Sequence, residues 1–258
     1  MSRLPLRAYQ HEAIRAVIDA RRRGVRRMVV SLPTGAGKTV IFSELSRLAR
    51  RQVLVLAHRE ELLEQARAKL QAALGDAGTV GIEQADRRAP ADARVVVCSI
   101  RSLREERLQR VVRDRDIGLI LYDECHHAVG EDNLRVLTSL GCFEPDWSGT
   151  LLGLTATVNR ADGKGLDEVF EEVVYSRGLA DLMTEGWLVP LRGFRVDTAA
   201  DLRGLSATGL DFSEEELSEA VDIEERNALV ARSIQEFARD RRTIAFCVTV
   251  NHARNLCK

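Results

Sequence analysis

Ser31-Leu32-Pro33-Thr34-Gly35-Ala36-Gly37-Lys38-Thr39 brings together residue types that can grip a polyphosphate. Met28 to Leu32 is a short apolar run that reads as a buried parallel strand, and it stops at Pro33, which has no N–H to give a ladder. After the two glycines, Val40, Ile41, Leu45, Leu48 and Ala49 recur at helical spacing. Strand, glycine loop and helix together make a phosphate cradle. Glycines let backbone N–H groups come close to the ligand, and the helix N-terminus adds unpaired donors and a partial positive charge. Thr34, Gly35, Ala36 and Gly37 form the loop, Lys38 can reach the outer phosphates, and the Thr39 hydroxyl can ligate Mg²⁺. The strict pattern has a glycine where Leu32 stands, but the strand before and the helix after outweigh that departure. Lysine occurs only at 38, 69, 164 and 258, so Lys38 is not one charge among many.

A second pair of residues fits the same chemistry. Ile117 to Tyr122 is a buried apolar strand that ends at Asp123-Glu124. In an open α/β sheet, ligands bind at the carboxyl ends of the strands, where this pair would face Lys38 and Thr39. Asp123 would hold Mg²⁺ through water, and Glu124 would polarise an attacking water as general base. Cys125-His126-His127 follow directly, but adjacent side chains diverge and no second ligand pair stands at zinc spacing, so a zinc cage is not expected. Lys164 lacks a preceding strand and does not mark a second phosphate loop.

The elements that must hold these residues read clearly. Helices are expected from about Ala8 to Arg23, Thr39 to Arg50, Glu60 to Leu74, from about Ser102, and over Asn133–Leu140 and Leu179–Glu185. Strands are expected at Val29–Leu32, Gln52–Ala57, Val80–Ile82, Arg94–Cys98, Ile117–Tyr122 and Leu151–Leu154. The strands are unbroken apolar runs alternating with helices, the signature of a parallel sheet covered on both faces. Thr198 to Glu225 is polar and short of apolar periodicity, which reads as a linker or insertion. From Arg226 the α/β pattern resumes with helix Ala228–Arg239, strand Thr243–Val248 and helix Val250–Leu256. The expected division is therefore residues 1–197, a linker over 198–225, and the opening of a second domain over 226–258.

At 258 residues, with 38 basic against 39 acidic side chains, the chain is an ordinary globular sequence without global basic character. Its five cysteines form no Cys-x-x-Cys pair, which argues for reduced thiols rather than a disulfide framework. No apolar run reaches the length of a membrane span. A cytoplasmic protein is expected.

These motifs resemble, in order along nearly the whole chain, those of superfamily 2 DEAD/DEAH-box helicases, in the branch of the excision-repair helicases and type III restriction translocase subunits. Leu6-Arg7-Ala8-Tyr9-Gln10 resembles the Q-type motif, which implies that Arg7 and Gln10 contact the adenine of ATP. Ser31–Thr39 is similar to motif I. Ala57-His58-Arg59-Glu60-Glu61-Leu62 resembles motif Ia and Val97-Cys98-Ser99-Ile100-Arg101-Ser102-Leu103 motif Ib, implying nucleic-acid contacts at His58, Arg59, Ser99 and Arg101. Asp123-Glu124-Cys125-His126-His127 resembles motif II, with Cys125 where alanine is commoner; His126 would link the γ-phosphate site to the second domain. Thr155-Ala156-Thr157 resembles motif III, which implies that Thr155 and Thr157 couple nucleotide state to strand binding; Val158 stands where a proline is usual.

The resemblance implies a RecA-like P-loop domain that uses ATP and Mg²⁺ to move on or unwind nucleic acid, DNA in preference to RNA, with a nuclease or methylase partner possible in this branch. Motifs V and VI, with their transition-state arginines, would lie beyond Lys258. These 258 residues are therefore expected to bind ATP and turn it over slowly. Two other classes stay open on the residues alone: a nucleotide-gated binding subunit without motor activity, and a small-molecule P-loop kinase, which leaves the Q-type and motif III segments unexplained.

Overall fold

The computed structural model describes residues 5–57, 63–75, 78–156, 165–198, 207–208 and 211–257. The chain divides into two compact units, Met1–Pro190 and Leu191–Lys258.

In the first unit the apolar runs become parallel strands, as expected. They are β1 (Arg27–Ser31), β2 (Gln52–Ala57), β3 (Val80–Glu83), β4 (Val95–Ser99), β5 (Ile117–Asp123), β6 (Thr150–Thr155) and β7 (Glu172–Ser176). They form one sheet in the order β3-β4-β2-β5-β6-β1-β7, with every pairing parallel. Helix α1 (Ala8–Arg22) precedes β1, α2 (Lys38–Leu48), α3 (Leu63–Leu74), α4 (Glu105–Arg113) and α5 (Glu131–Ser139) run between strands, and α6 (Leu179–Thr184) follows β7. Where the residues are described, the boundaries lie within two residues of the sequence reading, except at the charged helix expected from about Ser102, where a 3₁₀ turn over Ile100–Ser102 intervenes before Glu105.

The period-2 alternation of a strand sorts side chains onto two cores. Met28 and Val30, Val53 and Val55, Val95 and Val97, Leu121, Leu152 and Leu154 pack with α1, α2 and α3. Val29, Leu54, Leu56, Val96, Cys98, Ile120, Tyr122 and Leu151 pack with α4 and α5 on the other face. Both faces are dry, which is why the runs are continuously apolar rather than alternating. The core leaves no room near the site: a methyl group at Gly153 on β6 would come within 2.5 Å of Cys125 Sγ and 2.8 Å of Phe170 Cζ.

The second unit holds a short antiparallel pair, β8 (Ala207–Thr208) and β9 (Asp211–Phe212), then α7 (Glu214–Val221), α8 (Glu224–Phe237) and α9 (Val250–Leu256). Local structure appears within the stretch read as a linker or insertion, and one expected strand does not form. The stretch Thr198–Glu225 contains helix α7: Glu214, Glu215 and Glu216 complement the helix dipole in its first turn, and Val221 is buried. Thr243–Val248 forms no strand, although its apolar run reads as one. Pairing needs a neighbouring backbone, which the described residues do not provide, and Ile244 and Phe246 are 81% and 96% exposed. In the same unit His252 is buried; its Nδ1 accepts from the Val248 N–H at 3.3 Å, and its Nε2 lies 3.2 Å from Asn227 Oδ1.

Among the described residues no disulfide joins the five cysteines. Cys98, Cys125 and Cys142 are buried, and burial pushes their thiols upward, that of Cys142 to about 12, whereas Cys257 is exposed and Cys247 half-buried. Since the thiolate is the reactive form, titration of the folded protein with an aromatic disulfide reagent at pH 8 is expected to release two equivalents per chain promptly. The other three should appear only on unfolding.

Candidate nucleotide site

The loop between β1 and α2 reverses through two left-handed glycines, Gly35 at φ 85° and Gly37 at φ 77°. Gly37 is the N-cap of α2, so Lys38 is the first helical residue. Its side chain is only 13% exposed, and its Nζ donates to the Leu32 carbonyl at 3.3 Å and lies 3.8 Å from Glu124 Oε1. The ends of β1 and β5, separated in the sheet by β6, thus meet on one ammonium group.

Asp123 ends β5 in the same alternation as Leu121, on the face covered by α2. Burial pushes its carboxyl above the usual range and the adjacent Glu124 adds to this. The Lys38 charge, the Glu124 N–H donated to Oδ1 at 3.1 Å and His126 pull the other way. Glu124 sits in the left-handed region (φ 52°, ψ 51°), strained for a residue with a side chain. That turn lets its carboxylate face two ways, toward Lys38 through Oε1 and toward His126 Nδ1 at 3.4 Å through Oε2. His126 Nδ1 also lies 3.1 Å from the hydroxyl of Thr155, a fully buried residue whose carbonyl accepts from the Leu32 N–H at 2.9 Å. Phosphate loop, Asp-Glu pair and the Thr155 strand end therefore form one connected set.

Behind the loop stands the start of α1. The Tyr9 hydroxyl donates to the Ala36 carbonyl at 2.7 Å and Gln10 Nε2 donates to the same oxygen at 3.1 Å. Gln10 Oε1 accepts from the Arg7 N–H at 3.0 Å, so the amide that the resemblance turns toward adenine also braces the loop and caps its own helix. Arg7 Nη1 donates to the Tyr9 hydroxyl at 3.0 Å, and its guanidinium lies 5.6 Å from the Trp187 ring. Tyr9 and Trp187 stand in segments that resemble family motifs, Leu6–Gln10 and Gly186–Pro190, but nothing in the sequence assigns either side chain a contact with the loop. Arg177 belongs to the same group: it donates to Glu12 of α1 at 3.3 Å and to Glu185, just after α6, at 3.0 Å.

Thr34 and Gly35 are exposed at the loop mouth, Ala36 is buried, and Thr39 is half-buried. Arg101 is exposed on its 3₁₀ turn, but Ser99 is fully buried and its hydroxyl has no partner among the described residues, so it offers no surface to a strand. His58, Arg59, Thr157, Val158 and Lys164 lie outside the described residues. The hard oxygens of Thr39 and Asp123 suit Mg²⁺, which takes one or two protein ligands beside phosphates and water. Among the described residues no cluster of three or more His, Cys, Asp or Glu side chains could cage a metal.

Residues 3–160 match the family described as type III restriction enzyme, res subunit. The chain belongs to that family. It is 33% identical over 98% of its length to a Schizosaccharomyces pombe protein, irc3, named as a mitochondrial ATP-dependent helicase, and spans 43% of that protein. It is 27% identical over 97% of its length to the Escherichia coli type I restriction enzyme EcoAI endonuclease subunit, spanning 33% of it. The UvsW helicase of bacteriophage T4 superposes with a TM-score of 0.52 at 19% identity, covering 67% of this chain and 61% of that one, a likeness of fold. The first unit thus has the fold of the first RecA-like domain found in superfamily 2 helicases. The chain spans less than half the length of either curated relative.

A carboxyl raised by burial and by a like charge destabilises the folded protein at any pH where it is ionised. Asp123→Asn is therefore expected to raise the melting midpoint of the ligand-free protein at pH 7–8, by about 2–4 °C for each kcal/mol relieved. Because the folded carboxyl takes up its proton at a higher pH than the unfolded one, the gain should shrink as pH falls through the raised value. Thermal scans from pH 4 to 8 check both statements.

Proposed function

We propose that this chain is the ATP-binding motor domain of a helicase or translocase that couples ATP hydrolysis to movement on, or unwinding of, nucleic acid, DNA in preference to RNA. The observation that carries this reading is the Lys38 ammonium, held between the Leu32 carbonyl and the Glu124 carboxylate where two strand tips converge. The outer phosphates of ATP would exchange places with Glu124 as the partner of Lys38, leaving the carboxylate free to orient water as general base. Backbone N–H groups of the Gly35–Lys38 turn would take the phosphate oxygens. Arg7 and the remaining Gln10 N–H would meet the adenine. Thr39 and Asp123 would hold Mg²⁺, which when bound neutralises charge developing on the phosphates. His126, touching Glu124 and Thr155, would pass the state of the phosphate site to motif III.

Nucleic acid would be gripped mostly through its phosphates, with Arg101, His58 and Arg59 as the contacts on this unit. Residues 198–225 would link this domain to a second RecA-like one opening near 226. There α8 and α9 would flank the apolar segment Thr243–Val248. A nuclease or methylase partner is a further possibility, the E. coli relative being named as an endonuclease subunit. No helix among the described residues is long and apolar enough to cross a membrane. The unpaired cysteines fit a reducing compartment, the cytoplasm in this reading.

The test is ATP turnover by the intact protein with single-stranded, duplex and branched DNA and with RNA as stimulants. Lys38→Ala is expected to lower stimulated turnover roughly 100-fold or more, and Glu124→Gln to abolish it while nucleotide still binds. Retained turnover in Lys38→Ala would overturn the assignment. Affinity for the stimulating nucleic acid is expected to fall about tenfold or more between 50 and 200 mM salt, with little dependence on sequence. A flat salt response in a filter-binding titration would count against a phosphate-tracking site.

A further inference from the structure

We propose that the Tyr9 hydroxyl is a positioning group for the phosphate loop: by holding the Ala36 carbonyl it sets the direction in which the Gly37 N–H points. The inference rests on the reading of this loop as the polyphosphate site and adds a residue to it. A trans peptide is planar, so the Ala36 C=O and the Gly37 N–H point in opposite directions. Whatever fixes one fixes the other. The residues on either side of Ala36, Gly35 at φ 85° and Gly37 at φ 77°, are the two with the greatest backbone freedom, so local chain stiffness does little to choose the orientation of this peptide plane.

The orientation is chosen from outside the loop. Two nearly buried donors from α1, Tyr9 Oη at 2.7 Å and Gln10 Nε2 at 3.1 Å, converge on the Ala36 oxygen, which turns the Gly37 N–H away from α1. The hydroxyl is itself directed, because it accepts from Arg7 Nη1 at 3.0 Å and so keeps its own proton for Ala36. Its ring is braced by Trp187, edge-on at a centroid distance of 5.8 Å. Leu188 closes on the other glycine, its Cδ2 lying 3.3 Å from where a Cβ at Gly35 would stand. Arg177 ties this strap to α1 through Glu185 and Glu12. A donor aimed in advance needs no reorganisation when the anion arrives, the condition under which a backbone N–H contributes most to binding charge.

The experiment is Tyr9→Phe in the whole chain, which keeps the ring and removes the one oxygen. Equilibrium titrations with ADP and with inorganic tripolyphosphate, a ligand without a base, are run beside Lys38→Ala. Both ligands are expected to weaken by the same factor, about fivefold for one neutral hydrogen bond. In the ligand-free protein, hydrogen exchange in the peptide covering Pro33–Lys38 should become faster. Unchanged affinity for both ligands, or loss for ADP alone, would overturn the proposal, the latter assigning Tyr9 to the base. So would a lowered melting midpoint with both affinities intact, which marks a purely structural residue. If Tyr9→Phe does not fold, Gln10→Met removes the other donor to the same carbonyl and is expected to weaken tripolyphosphate too; no loss there would equally overturn it. ADP binding unchanged in Lys38→Ala would instead remove the site reading on which the inference stands.

Discussion

A single ammonium group, that of Lys38, reconciles charges the fold would otherwise leave in conflict. Asp123 and Glu124 put two carboxylates at the tip of β5, Asp123 partly removed from water, and like charges so close raise each other's cost. Lys38 supplies the opposing charge at 3.8 Å from Glu124. At such a separation, attraction between unit charges amounts to about 4 kcal/mol at an effective dielectric near 20, before desolvation is subtracted. Delivering that charge requires β1, its glycine turn, α2 and β5 to end at the same level on the same face. The strand order, with β6 between β1 and β5, provides this. In the proposed reading an incoming triphosphate, with more negative charge than Glu124, would take over the lysine.

Much of this was legible because it is local or periodic. Val53 to Leu56, Val95 to Cys98 and Ile117 to Tyr122 are unbroken apolar runs, and only a sheet covered on both faces buries every side chain of such a run. From there the rule that ligands sit at the carboxyl ends of the strands places Lys38 beside Asp123 and Glu124 without coordinates. What stayed hidden depends on contacts between distant parts of the chain. Tyr9 meets Ala36 across 27 residues, and Arg177 meets Glu12 across 165. Neither pairing leaves a periodic signal. Thr243–Val248 shows the opposite failure: its residues favour a strand, yet strand formation is a property of two segments and the second is not among those described. At Ser99 a polar residue inside a family motif reads as a contact, whereas the sheet buries it.

The connected set also suggests how chemistry at the phosphates could be felt elsewhere. Leu32, at the root of the loop, donates to the Thr155 carbonyl, and the Thr155 hydroxyl meets His126, which leans on Glu124. The path closes on itself through Lys38. In the proposed reading, phosphate replacing Glu124 at Lys38 would break one contact of this ring, that between Lys38 and Glu124.

Glu124 carries a consequence of its own. Its left-handed backbone costs an ordinary residue about 1 kcal/mol or more, a penalty glycine would escape. Evolutionary drift toward greater thermal robustness therefore meets an obstacle here, because the substitution that relaxes the main chain deletes the carboxylate. If Glu124 is the general base of the proposed reaction, robustness and catalysis pull this one position in opposite directions.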